Sequence, residues 1–201
     1  MREGGSAALK EAGRFFMRQD PVHDTLRRFA ERLESLNVAY AIAGGMALVA
    51  HGYDRTTLDV NVLVSPQGLE RIHQALDGRG YVRPFENSRN LRDVQSGVRI
   101  EFLVTGQFPG DGKPKPVEFP DPAQVSERID GVRYVRLPQL IELKLASGMT
   151  HPGRLRDLAD VQELIRALGL PRDYASNLNA YVSGTFIELW DTTAGDSTGE
   201  I

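Results

Sequence analysis

The sequence predicts an α/β (α+β) fold: a small mixed β-sheet covered by helices on one face, followed by a C-terminal helical segment. Three observations lead there. Apolar residues switch between the helical and the strand period along the chain, in the order helix, strand, helix, strand, helix, strand, hairpin, then helices. The strand candidates are short, rich in branched residues and bounded by turn residues. The length of 201 residues, with 41% hydrophobic and 25% charged content, suits one domain with a full core, or one domain with a small helical appendage.

The elements follow in order. Ala7 to Met17 reads as a weak helix inside an N-terminal extension, residues 1–19. Asp20-Pro21 is a capping residue followed by proline at the first helical position, and Leu26, Phe29, Leu33 and Leu36 fall on one face of the helix that follows. Val38 to Ala43 is a buried strand, Gly44-Gly45 a turn, Met46 to His51 a helix and Thr57 to Val64 a second strand. Ser65-Pro66 repeats the cap-plus-proline signal for a helix from Gln67 to Asp77. Tyr81 to Phe85 is a short extended piece in which Pro84 argues against a central strand. Asn87 to Gly97 is polar and reads as a turn with little fixed structure; Val98 to Val104 is the third strand. Gly106 to Pro116 is a loop, Pro122 to Glu127 a helical turn, and Ile129 to Val132 the tip of a hairpin. Helices are expected at Gln139 to Ser147, Arg154 to Leu168 and Tyr174 to Trp190, the last with Leu178, Tyr181, Val182 and Trp190 inward. The core therefore spans residues 20–137, the helical segment 138–190, and a polar tail, 191–201, is expected to be disordered.

Composition narrows the chemistry. No cysteine is present, which excludes disulfides, thiolate zinc sites and a cysteine nucleophile. The net charge of −3 gives no bulk attraction to nucleic acid, although Arg79, Arg83, Arg89, Arg92 and Arg99 cluster in sequence, as a basic patch or as scattered solvated arginines. The longest apolar run is broken by glycines and too short for a bilayer, and the N-terminus lacks the apolar core of a signal peptide. A cytoplasmic location without membrane association is expected. His51, His73 and His151 lack metal-ligand spacing, and no serine, histidine and acid stand in a nucleophile order.

The stretch from Val38 to Val64 concentrates the functional signals. Glycines between a strand and a helix let a ligand approach bare backbone, and the helix start offers unpaired N–H groups to phosphate. Asp59 and Asn61, two apart on a strand, point to the same side, and their oxygens suit a hard cation such as Mg²⁺. An acid in a Val- and Leu-rich strand needs a compensating partner; for Asp59 that is a metal, a backbone donor or a structural ion pair with Arg55. Glu101 lies opposite the apolar face of its strand, as a third metal ligand or as an exposed strand glutamate.

The order Gly44-Gly45, Arg55, Thr57 and Asp59-Val60-Asn61 resembles the signature of the polymerase-β-like nucleotidyltransferase superfamily, a glycine pair opening a helix and then an Arg-x-Thr-x-Asp-x-Asp strand. The chain departs from it at Asn61, where the family carries its second carboxylate, and at Glu101, where an aspartate is usual. Leu137 to Ser147 with Arg154 to Asp160 is similar to a segment of minimal and abortive-infection toxin-type nucleotidyltransferases; the match makes Lys144 a group near a nucleotide phosphate and Asp157 a residue that helps hold the site, against plain readings as a solvated lysine and a helix N-terminal acid. The resemblance implies a nucleotidyltransferase fold and Mg²⁺-dependent transfer of a nucleoside monophosphate from a nucleoside triphosphate to an RNA or protein hydroxyl. Asp59, Glu101 and Lys144 would be catalytic. Gly44, Gly45, Arg55, Thr57 and Lys144 would bind the nucleotide, and Asp59, Asn61 and Glu101 the metal. Because Asn61 removes one unit of the negative charge that holds two cations, the alternative is a catalytically inactive binding protein on the same fold, a toxin–antitoxin or regulatory partner.

Overall fold

The computed structural model describes residues 20–196; the Ala7 to Met17 helix and residues 197–201 lie outside the described residues. Helix α1 (Pro21–Ser35) starts where expected: the Asp20 carboxylate accepts from the backbone N–H of Val22 at 2.8 Å and of His23 at 3.3 Å. Such a cap is worth about 1 kcal/mol. Strand β1 (Tyr40–Ala43) leads into α2 (Gly44–Ala50), which begins at the glycines themselves rather than at Met46. Strand β2 (Asp59–Val64) leads into α3 (Pro66–Leu76), capped by the Ser65 hydroxyl on the Gly68 N–H at 3.0 Å.

Strands β3 (Tyr81–Val82), β4 (Leu91–Asp93) and β5 (Arg99–Val104) follow. Strand β4 corrects the expectation of an unstructured turn at 87–97. Its Leu91 is fully buried opposite Ile100, and the Asn90 side-chain oxygen accepts from the Phe102 N–H at 3.0 Å. The pairing is non-local, so a polar three-residue stretch carries little trace of it.

A short helix, α4 (Pro122–Val125), precedes the hairpin β6 (Ser126–Ile129) and β7 (Val132–Val135). Asp130 and Gly131 at its tip have φ of 47° and 85°, the pair of left-handed residues that a two-residue hairpin turn needs. Helices α5 (Leu137–Thr150), α6 (Leu155–Leu168) and α7 (Ala180–Asp196) complete the chain. The expected single helix from Tyr174 to Trp190 is broken: Arg172–Asn177 is a 3₁₀ segment, and α7 starts after Asn179, whose side chain accepts from the Tyr181 N–H at 2.9 Å. Helix α7 also runs to Asp196, past Trp190, where order was expected to end.

The sheet has seven strands in the order β3-β4-β5-β2-β1-β7-β6, with β1–β7 and β2–β5 parallel and the other pairs antiparallel. Helices α1 and α3 pack on one face, where Phe29 and His73 meet Phe102 with ring centroids 6.1 and 6.0 Å away. The other face is not bare, as a one-sided cover would leave it: Leu63 on that side is fully buried, and α5 lies over the part that carries Asn61 and Glu101. One continuous apolar cluster runs from Val22 in α1 to Phe186 in α7. No helix among the described residues is long and apolar enough to cross a membrane.

Candidate functional site

The corner between β1 and α2 is shaped by what lies against it. Gly44 stands at φ +60°, and a Cβ there would fall 1.9 Å from Asn61 Oδ1. A Cβ on Gly45 would fall 2.8 Å from Thr57 Cβ and Oγ1. The antiparallel register Ala43↔Asn61 brings the two strands together at this point. The missing side chains thus let the polar end of β2 press on the backbone of the corner.

Next to the corner stands an acidic wall. Thr57 Oγ1 donates to Asp59 Oδ1 at 2.9 Å. The parallel register of β2 with β5 sets Asn61 against Glu101 and Asp59 against Arg99. Asn61 Nδ2 donates to Glu101 Oε2 at 3.2 Å, and the Arg99 guanidinium pairs with Glu101 Oε1. Glu101, with its side chain 26% exposed, is a cleft residue rather than a solvated strand glutamate.

Behind the wall lies a buried ion cluster. Lys144 Nζ donates to Asp157 Oδ1 at 2.9 Å and to Asp160 Oδ2 at 2.7 Å. Arg55 Nη1 reaches the same Asp160 oxygen at 2.7 Å, and Ser147 Oγ donates to Asp157 Oδ2 at 2.7 Å. Arg55 therefore pairs with Asp160 and not with Asp59; its Nε is buried without a hydrogen-bond partner among the described residues. Lys144 is no solvated lysine: it is buried, and both its carboxylate partners come from α6. Burial pushes the Asp157 carboxyl up, but the Lys144 ammonium, the Ser147 hydroxyl and Arg154 together outweigh it, so the group sits below the ordinary carboxylate range.

Every residue singled out in the sequence, Gly44, Gly45, Arg55, Thr57, Asp59, Asn61, Glu101, Lys144 and Asp157, lines one open cleft of about 230 Å³. The loop at Pro109-Gly110 and the side chains of Leu140 and Leu143 form the opposite side. Asp160, Ser147 and Arg154 were not singled out. A signal for the first two exists: Lys144 and Ser147 are three apart on α5, Asp157 and Asp160 three apart on α6, so matched faces can meet. Arg154 is exposed at the cleft with no such pattern to mark it. A larger cavity, about 500 Å³, lies elsewhere between α1 and β4. Its central carboxylate, Asp93, is already satisfied by Thr25, Arg28, Ser96 and the Gln95 N–H, which makes that cavity a poorer place for ligand chemistry.

Mg²⁺ takes oxygen ligands and is commonly held by one or two carboxylates, with water and substrate phosphates completing its shell. Asp59 fits that role, since its Oδ2 makes no hydrogen bond among the described residues. Asn61 presents its amide oxygen to Gly44 and its NH₂ to Glu101, and both Glu101 oxygens are engaged. Among the described residues no group of three His, Cys, Asp or Glu side chains is placed to hold an ion. The donor set fits one cation that arrives with phosphate ligands of its own; it does not fit two cations bridged by carboxylates.

No family model and no curated protein matches the chain. Solved structures do. The antibiotic-resistance factor ANT(2'')-Ia is 11% identical, with 87% of this chain and 94% of that one covered at a TM-score of 0.50. ANT(2'')-Ia in complex with adenylyl-2''-tobramycin is 12% identical over 82% and 91% of the two chains, TM-score 0.46. A candidate nucleotidyltransferase of Thermotoga maritima is 14% identical over 71% and 91%, TM-score 0.48. The mixed seven-stranded sheet with its helices shares its fold with ANT(2'')-Ia. At these identities the likeness is one of fold.

Proposed function

We propose that this cleft binds a nucleoside triphosphate and that the protein transfers the nucleoside monophosphate to a hydroxyl of an RNA or protein acceptor. The observation that carries the reading is the convergence of the bare Gly44–Gly45 corner with the open carboxylate of Asp59 in a single cleft. At about 230 Å³ the space is smaller than the ~300–1,000 Å³ that encloses a whole drug-sized ligand. It suits a triphosphate tail, with the base at the mouth. The tail would lie along Gly44 and Gly45. Among the described residues that line the cleft, Arg55 and Lys144 are neutralised by Asp157 and Asp160, so Arg154 is the cation left to face phosphate.

In the transfer, the acceptor oxygen bonds to the α-phosphorus, the bond to the bridging β-phosphate oxygen breaks, pyrophosphate leaves and the hydroxyl proton passes to solvent. Mg²⁺, when bound at Asp59, would neutralise charge on the phosphates. The residues do the positioning: Thr57 orients Asp59, and Asp160 holds α5 and α6 to the Arg55 loop. A cytoplasmic location, where nucleoside triphosphates are found, accompanies this reading.

A specific observation favours a second reading. Asn61 brings no charge, and its amide occupies Glu101. In that case the protein binds nucleotide without turning it over and acts as a toxin–antitoxin or regulatory partner, as the similarity of the α5–α6 segment to toxin-type nucleotidyltransferases implies. The two are separated by incubating the native protein with α-labelled nucleoside triphosphates, Mg²⁺ and cell extract. Label on RNA or protein supports transfer. No label with the native chain, and label with Asn61→Asp, supports the second reading; no label with either, and no nucleotide bound, removes both.

A further inference from the structure

Arg99 occupies a defined place in the acidic wall. It lies in register beside Asp59 on the neighbouring strand, and it shares a face with Glu101 two residues on, to which its guanidinium is paired. A positive group is thus held on the Glu101 carboxylate, one of the two carboxylates that a bridging cation would need, while Asp59 on the neighbouring strand stays open. The other Glu101 oxygen takes the Asn61 NH₂, a second donor in place of positive charge. On its other side Arg99 stands directly across from Arg92 of β4, a like-charged neighbour that a strand pair normally avoids. Arg99 therefore sits beside a like charge on one side and is paired with the Glu101 carboxylate on the other.

We propose that Arg99, with Asn61, is a built-in replacement for a second divalent cation, so that the cleft takes up a nucleoside triphosphate together with one divalent ion at Asp59 and not two. The inference rests on the nucleotide-binding reading above and concerns how that site is charged. Asn61 and Arg99 form a matched pair in this account: the lost carboxylate at 61 and the guanidinium on Glu101 each lower the site's demand for metal by one charge. Arg99 remains partly solvent-exposed, at 54% for its side chain, so it can be exchanged without opening the core.

The test counts ions rather than turnover. Native protein is saturated with a non-hydrolysable triphosphate, and Mn²⁺ bound in a nucleotide-dependent way is counted by electron paramagnetic resonance. One Mn²⁺ per bound nucleotide is expected for the native chain and for Arg99→Lys, which keeps the charge. Two are expected for the double variant Asn61→Asp with Arg99→Ala, whose thermal unfolding is checked first; Asn61→Asp with Arg99→Gln, which keeps more of the side chain, takes its place if the first does not fold. Two ions on the native chain, or one on the folded double variant, overturns the inference while leaving nucleotide binding standing. Failure of the native protein to bind the triphosphate at any Mn²⁺ concentration overturns the reading of the cleft itself, and the inference with it.

Discussion

At Gly44 two constraints meet. The backbone is left-handed at φ +60°, where an L side chain costs roughly 1–2 kcal/mol. A methyl group there would also lie 1.9 Å from Asn61 Oδ1, so Asn61 would have to leave Glu101. Gly44→Ala is expected to destabilise the fold by at least that ~1–2 kcal/mol and to abolish triphosphate binding; thermal unfolding and a nucleotide titration measure the two effects separately. Wild-type affinity in a folded Gly44→Ala protein would show that the corner plays no part in binding. The residue order already marked the glycine pair as a place of close approach. It could not show that the nearest group is the chain's own Asn61 and Thr57, because that depends on how β1 and β2 register. For the same reason the partner of Arg55 was out of reach: Asp160 lies 105 positions away.

Among the elements, α5 and α6 pack closely beside the cleft. Their polar residues mesh at matched three-residue spacing, Lys144 and Ser147 against Asp157 and Asp160. The helices approach closely at Gly148, where an added Cβ would lie 2.5 Å from Leu158 Cγ and 3.2 Å from the Leu158 backbone nitrogen. Gly148→Ala should therefore force the helices apart and cost about 1–3 kcal/mol, the usual range for overpacking, despite alanine's better helix propensity. A urea titration reads this, and a stabilised Gly148→Ala would show that the contact yields without strain. Elements with local signals were legible: the caps at Asp20 and Ser65, and the Asp130-Gly131 turn. Strand β4 was not, since it is held by the distant strand β5. The break between the 3₁₀ segment and α7 was also missed, although Asn179 carries the cap; its N–H is in turn taken by Glu142 from α5 at 2.6 Å.

Over the whole molecule, two buried or half-buried aspartates tie stability to pH. For Asp93, burial pushes the carboxyl up, but Ser96, the Gln95 N–H, Arg28 and Thr25 outweigh it, and like Asp157 it sits below the ordinary carboxylate range. A carboxyl depressed in the folded state stabilises fully above its unfolded pKa, near 3.9, and loses that contribution as pH falls through its folded value. Glu142 has the opposite sign: burial, larger than the opposing Asn179 N–H bond, raises it, so folding is relieved of a cost as it takes up a proton. With two groups against one, the urea midpoint should fall as pH drops below about 4. Asp157→Asn should lower the midpoint at pH 7 and make the acid fall shallower. A midpoint that stays level to the lowest pH, or an Asp157→Asn profile parallel to the native one, would show that the Lys144 cluster adds no stability.

Most of the order of helices and strands, apart from β4 and the break before α7, could be read from the chain, with the caps, the turns and the candidates Gly44, Gly45, Asp59, Asn61 and Glu101, because periodicity, capping and side-chain alternation are properties of neighbours; Lys144 was marked only by the family resemblance. What charge each candidate meets could not. Asn61 faces Glu101 from 40 positions away, Arg99 is set beside Asp59 by strand register, and Lys144 and Arg55 are joined through Asp160 by the packing of α5 and α6. Coulomb attraction weakens with distance and is screened by salt beyond about 10 Å, so such pairing belongs to residues brought close by folding, whatever their distance along the chain.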